Sequence, residues 1–230
     1  MKYLITTRAD DNIKEMTDLT HPIFKKIAEK WGADFRVLDH ETEKIHDGRP
    51  HFRIMKCHEL HEVYDRILNI DSDTIITPRC PNLFEVVPED CIGTVLEDKG
   101  SRLPDRRSHI NKVQAEWGNV GWTEGYINTG VFITSKHHKN IFTPHEGEFY
   151  REWGSDDVHI GYNINKYKHK IFELPYTFNH MGMFSEPWNG NPSRFESYII
   201  HYAGRGIFDS GISSREEQIK HDIKVLWGDK

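Results

Sequence analysis

The stretch Arg66-Ile67-Leu68-Asn69-Ile70-Asp71-Ser72-Asp73-Thr74-Ile75-Ile76 decides the fold. Residues 66–70 read as a short, largely apolar strand. Two carboxylates spaced i, i+2 follow it directly, at the carboxyl edge where open α/β sheets bind ligands. Upstream, Tyr3-Leu4-Ile5 reads as a first buried strand. Thr20 looks like a helix N-cap with Pro22 in the first turn. Ile23, Ile27 and Trp31 then fall four apart, with Phe24 and Ala28 beside them, forming one apolar helix face that Gly32 ends. Phe35-Arg36-Val37-Leu38 supplies a second strand. Strand, helix, strand predicts a nucleotide-binding α/β half.

Downstream, residues 52–64 read as a second helix, and Pro81 to Pro88 as a short segment bounded by prolines. Ile92 to Leu96 reads as a strand. Residues 98–109 are polar and hold Lys99, Arg102, Arg106 and Arg107 with Gly100 and Pro104, the composition of a long surface loop. Tyr126 to Thr134 reads as a strand interrupted by Asn128-Thr129-Gly130. A helix is expected over 155–166, opened by Ser155 and Asp156. Late strands follow at 171–174 and 198–201, then a polar helix over 214–227 capped by Ser213 or Ser214. The 230 residues carry no repeat, low-complexity tract or dividing linker. They fit one domain, or two half-domains on a shared core.

Hydrophobic residues at 37% and aromatics at 12% suffice for that core. A formal charge of −6 argues against nonspecific nucleic-acid binding. It leaves a phosphorylated small molecule open, because local bases hold an anion on an acidic protein. Cys57, Cys80 and Cys91 are odd in number and unpaired in spacing, which suggests a reducing compartment and no zinc knuckle. Residues 3–5 are apolar, but Thr6, Thr7 and Arg8 end that run before it resembles a leader. No apolar stretch approaches the roughly 20 residues of a membrane span. Asn191 precedes Pro192, so no Asn-x-Ser/Thr acceptor is present. The expectation is a soluble, cytoplasmic protein.

Carboxylates at i, i+2 past a strand suit Mg²⁺ or Mn²⁺, hard cations that keep open positions for diphosphate oxygens. The bland alternative is a polar loop with Asp73 capping a turn. Three later segments accompany the acids in order: Tyr126-Ile127-Asn128-Thr129-Gly130-Val131, Leu174-Pro175-Tyr176-Thr177-Phe178-Asn179 and Ile200-His201-Tyr202-Ala203-Gly204. Together with Asp71-Ser72-Asp73 they resemble GT-A fold glycosyltransferases. The most similar group is the retaining family 8, which includes glycogenin and bacterial galactosyltransferases. The resemblance runs from the first strand to about residue 206.

The resemblance implies an α/β fold of GT-A type: a Rossmann-like mixed sheet flanked by helices in a single compact domain. About 1–97 would be the nucleotide-binding half, about 110–210 the acceptor and sugar half, and 211–230 the C-terminal helix. It implies a Mn²⁺ or Mg²⁺ ion on Asp71, Asp73 and His201; otherwise His201 is a strand-end histidine bonded to backbone. Gly130 would admit the donor closely and Asn128 would bond its sugar; otherwise they form a glycine bulge. Lys56, 15 residues before the acids, matches a base that meets donor sugar or phosphate, or is an exposed helix lysine. Thr6, Thr7 and Arg8, with Asp10 or Asn12, fall on the nucleoside-binding edge, and Ser72 sits between the metal acids. Asp156 and Asp157 stand where the family places an acidic pair facing the reacting sugar, or they cap a helix.

The family's Lys-Pro-Trp after the histidine is replaced by Arg205-Gly206-Ile207-Phe208, so Arg205 or the Gly206 backbone would meet the diphosphate. The implied activity is sugar transfer from a nucleoside-diphosphate sugar, UDP before GDP, to a hydroxyl on a glycan or glycoprotein. Trp122, Tyr176, Phe184 and Trp188 are candidates for stacking on the acceptor. Should the enzyme invert, Asp157 or Glu97 would serve as base. Three alternatives stay open. One is a haloacid-dehalogenase-like phosphohydrolase. Another is a sugar-nucleotide-binding protein or hydrolase without transfer. The third is a zinc hydrolase on His58, His61 and Glu62, whose spacing departs from the i, i+4 pattern.

Overall fold

The strand that ends in the two acids, β3 (Arg66–Ile70), is buried at every residue and lies inside a six-stranded sheet. The computed structural model describes residues 1–39 and 49–228. β3 runs parallel to β1 (Tyr3–Arg8), which runs parallel to the edge strand β2 (Ala33–Leu38). On its other side β3 pairs antiparallel with β6 (Ile127–Ser135). β6 pairs antiparallel with β5 (Cys91–Leu96), and β5 pairs parallel with β7 (Lys170–Glu173) at the far edge. The order is β2-β1-β3-β6-β5-β7. A second, two-stranded sheet joins β4 (Thr74–Ile76) antiparallel to β8 (Ile199–His201).

Consecutive strand side chains point to opposite faces, so each inner strand feeds two cores. Ile5, Leu68, Val131 and Ile133 pack with Phe24, Ile27 and Ala28 of helix α1 (Lys14–Trp31). Leu4, Ile67 and Phe132 pack on the other face with Phe52 and with Ile160 and Ile164 of α5 (Ser155–Lys166). A third cluster joins α5 to α4 (Leu103–Trp117) through Val113, Trp122, Tyr126 and Tyr162. Further helices are short α2 (Cys57–Leu60), short α3 (Leu83–Val86) and C-terminal α6 (Arg215–Trp227). Ser214 caps α6 by accepting from the Glu217 amide, as its position implies.

Four expectations are corrected. Helix α1 begins at Lys14, so Thr20 and Pro22 lie inside it. The Thr20 hydroxyl is not a cap; it bonds the Met16 and Ser72 carbonyls. The expected loop over 98–109 is a 3₁₀ turn (Gly100–Arg102) running into α4. The buried face of α4 includes Arg106 and His109 beside Ile110 and Val113, so its apolar periodicity is broken by residues that serve a polar cluster. The expected helix over 52–64 is instead a 3₁₀ helix (Pro50–Lys56) followed by the single turn of α2. Strand β6 runs unbroken through Asn128-Thr129-Gly130, and the irregularity falls in its register with β5.

Candidate functional site

Both sheets converge on the acids. The Asp71 amide continues the β3–β6 ladder by donating to the Gly130 carbonyl at 2.8 Å. Pairing of Thr74 with His201 brings β8 alongside, and the Tyr202 amide donates to the Asp73 carbonyl at 2.9 Å. His201 Nε2 therefore stands 3.2 Å from Asp73 Oδ1 and 3.7 Å from Asp71 Oδ2. The ligand atoms of Asp71, Asp73 and His201 all lie within 4.8 Å of one another.

The imidazole is held for this geometry. Its Nδ1 lies 2.8 Å from Asn179 Oδ1, an oxygen that can only accept, so Nδ1 carries the proton and Nε2 faces the carboxylates. The Asn179 amide donates to Asn128 Oδ1 at 2.7 Å, and the Asn128 amide donates to Glu97 at 2.6 Å. Gly130 makes room: a Cβ there would stand 2.9 Å from Asp71 Oδ2 and closer still to His201 Cε1. Two carboxylates, one oriented imidazole and a glycine cradle fit a divalent cation of the Mg²⁺ or Mn²⁺ type. Burial pushes Asp73 up, but His201 and Arg215 outweigh it and hold its carboxyl below the usual range. Burial pushes His201 down, but Asp73 and then Asp71 hold it above its ordinary value.

Two cavities meet at this cluster. One, of about 340 Å³, is lined by Asp10, Asn12, Ile13, Met16 and Arg53. The other, of about 820 Å³, is lined by Glu97, Asn128, Asp156, Asp157 and His201. Arg8, Asp71 and Asp73 line both. Burial pushes the Asp157 carboxyl up, Asp156 and Glu97 push it further, and it stands well above the carboxylate range. Asp157 accepts from the Thr129 amide at 2.8 Å. Asp156 is held below that range, because Arg8 outweighs the effect of burial. Glu97 is gripped by Arg106 at 2.6 Å and by Arg102 at 3.0 Å.

Asp71, Asp73, His201, Asn128, Asp156, Asp157 and Arg8 are thus brought together, as are Ser72 and Asn12 at the smaller cavity. Others stand apart. Thr6 is fully buried inside the sheet, and Thr7 bonds the Ser72 hydroxyl at 2.9 Å. Lys56 lines neither cavity and pairs with Glu59, whereas Arg53, bonded to Asp10 at 2.7 Å, lines the smaller one. Arg205 is exposed and lines neither cavity. The cation at that end is Arg215, which donates to Asp73 Oδ2 at 2.9 Å. Gly206 permits this, since a Cβ there would run into the Arg215 side chain. Nothing local marks Arg215, the first residue of a polar helix 142 positions from its partner.

The proposed acceptor aromatics also fall elsewhere. Trp122 is core, and Tyr176, Phe184 and Trp188 line a separate cavity of about 200 Å³. The aromatic that lines the large cavity is Trp153, 58% exposed and stacked on His109 at 4.7 Å. The zinc alternative is not supported: His61 is buried on Thr134, His58 faces the Lys139 carbonyl, and Glu62 pairs with Lys139. Among the described residues these three do not form a metal-spaced group. Nor, among the described residues, is any helix long and apolar enough to cross a membrane.

No family model matches the sequence, and no curated protein matches it. Solved structures do. The chain superimposes on an active-site mutant of LgtC with TM-score 0.60 at 15% identity, covering 97% of this chain and 96% of that one. A glycosyltransferase involved in glycosylating the major capsid of PBCV-1 gives 0.56 at 15% identity, covering 96% and 98%. The glycosyltransferase GlyE of Streptococcus pneumoniae TIGR4 gives 0.58 at 12% identity, covering 98% of this chain and 61% of GlyE. The six-stranded mixed sheet flanked by helices is that of a single-domain GT-A fold.

Proposed function

We propose that this chain is a metal-dependent glycosyltransferase, moving a sugar from a nucleoside-diphosphate sugar to a hydroxyl of a glycan or glycoprotein acceptor. The observation that carries the reading is the Asp71, Asp73 and His201 cluster at the junction of two cavities. The smaller cavity is walled by residues of the N-terminal half together with Arg215 and suits a nucleoside, with Asp10, Asn12 and Arg53 as polar contacts. The larger has room for a donor sugar beside an acceptor, and its walls come mainly from residues 97–157. UDP-sugars are the first donors to test, and GDP-sugars the second.

Asp71, Asp73 and His201 would hold Mn²⁺ or Mg²⁺, whose chemistry is to neutralise charge that develops on the leaving diphosphate. Asn128, Glu97 and Asp156 would orient donor-sugar hydroxyls, with Glu97 held in place by Arg102, Arg106 and Asn128. In an inverting reaction Asp157, with its affinity for a proton raised, would accept the proton of the attacking hydroxyl. In a retaining reaction that role passes to the leaving phosphate, and Asp157 would instead donate a hydrogen bond to sugar. The likeness of the fold to solved glycosyltransferases supports transfer over the phosphohydrolase.

A panel of sugar nucleotides, with and without Mn²⁺, tests the reading by thermal shift and then by product formation on glycan acceptors. Stabilisation by one donor with Mn²⁺, followed by transfer, supports it. Cleavage of simple phosphate esters with no response to any sugar nucleotide would sink it.

A further inference from the structure

Arg8 is the last residue of β1, and its guanidinium bridges two acids of the site that come from different chain segments. Nη2 donates to Asp71 Oδ1, and Nη1 donates to Asp156 Oδ2. Thr129 Oγ1 lies 3.4 Å from Nη2 and itself donates to Asp156 Oδ2 at 3.0 Å. Only 10% of the Arg8 side chain is exposed, so this is not a loose surface pair. Its partners are 63 and 148 residues away in sequence.

The two oxygens of Asp71 are divided. Oδ1 belongs to Arg8, while Oδ2 faces His201 Nε2 and the Gly130 cradle. A guanidinium fixed on Oδ1 sets the rotation of the carboxylate, and with it the direction of Oδ2. Outer partners that orient metal-ligating side chains act in this way. The second arm ties the same guanidinium to the first turn of α5, the element that carries Asp157. The Asp156 charge also offsets that of Arg8, so the brace adds little net positive charge beside the cation site.

We infer that Arg8 is a positioning residue that aims Asp71 Oδ2 into the cation site and couples cation binding to the Asp156–Asp157 turn of α5. The inference rests on the metal reading above. It gives Arg8 a role in addition to lining the nucleoside edge, where the resemblance put it.

The test is Mn²⁺ binding followed by electron paramagnetic resonance, without donor or turnover, on wild type and two charge-conserving variants. Arg8→Lys keeps one positive charge but loses the two-armed fork. Arg8→Ala with Asp156→Asn removes one charge of each sign together. Both are expected to bind Mn²⁺ about 10- to 100-fold more weakly, the usual loss on removing an outer-shell partner. Circular dichroism and thermal melting report whether each variant is folded, and the paired substitution avoids stranding Asp156. Unchanged or tighter Mn²⁺ binding in either folded variant overturns the inference and leaves the metal reading standing. Absence of Mn²⁺ binding by the wild type, to millimolar ion, overturns both.

Discussion

Asn179 accepts a 2.8 Å hydrogen bond from His201 Nδ1, and through it the histidine is linked to Asn128 on β6 and to Glu97 just past the end of β5. The bond fixes both the ring orientation and the tautomer, so Nε2 is presented to Asp73. Asn179→Ala is expected to lower Mn²⁺ affinity by about 10- to 100-fold. Isothermal titration of Mn²⁺ into the donor-free variant checks this; wild-type affinity would place Asn179 outside the site's support.

Asp157 gives a prediction in which stability and activity move in opposite directions. Its carboxyl is raised well above the ordinary 3.8 by burial, then by Asp156 and Glu97. The fold thus favours the protonated acid. That contribution to stability is complete below 3.8 and is lost as pH rises through the folded-state value. Asp157→Asn, which cannot ionise, is expected to raise the melting temperature at neutral pH and to leave it little changed near pH 3. If Asp157 handles the acceptor proton, transfer falls by about 100-fold or more. Melting curves across pH, with initial rates, read both effects.

Acid sensitivity follows from three buried histidines that are not part of the acidic cluster. Burial lowers His61 and His180 to about 4 and His138 to about 3, from an ordinary 6.5. Such groups stabilise the fold fully above 6.5, and the contribution is lost as pH falls through the folded-state values. The loss is on the order of 3 kcal/mol per histidine over that window, against a total stability of about 5–15 kcal/mol. Urea unfolding is expected to need much less denaturant at pH 4.5 than at pH 7. A midpoint that does not move would show that these rings are already protonated in the fold.

Much of the scaffold was legible because it is written in local patterns. The apolar runs at Leu4-Ile5 and Ile67-Leu68 lie on inner strands buried on both faces, which a short apolar run signals. Asp71, Asp73 and Asn128 were legible because strand ends and a polar break in an apolar strand stand out. Helix α4 was not, because Arg106 and His109 occupy buried positions where periodicity expects apolar residues. Arg215, Arg53 and the Arg8 bridge were illegible for another reason. Each is defined by a partner far along the chain, and no local spacing encodes which arginine reaches which acid.

The cluster of Asp209, His221 and Asp222 shows how the same residue types serve a structural role. Its ligand atoms have metal-like spacing, but Arg194 donates to Asp222 at 2.7 Å and to Asp209 at 3.1 Å, and Tyr202 and Gln218 also bond Asp222. A guanidinium fills the role of a cation there. Arg194→Ala strands the buried Asp222 and is expected to cost about 3–5 kcal/mol, or roughly 10 °C in melting temperature for a chain of this size. Mn²⁺ affinity of the folded variant at the Asp71, Asp73 and His201 cluster should be unchanged, and an unshifted melting temperature would contradict the structural role.

The central claim is that Asp71, Asp73 and His201 bind a cation that holds the donor diphosphate. Its most direct measurement is calorimetric titration of UDP, then GDP, into wild type and Asp73→Asn, each with and without Mn²⁺. The wild type is expected to bind in a Mn²⁺-dependent way, and Asp73→Asn to lose at least about 100-fold in affinity with the fold intact, since removing one partner of a buried charged cluster costs roughly 3–5 kcal/mol. Equal Mn²⁺-dependent binding by Asp73→Asn, or wild-type binding indifferent to Mn²⁺, would contradict it.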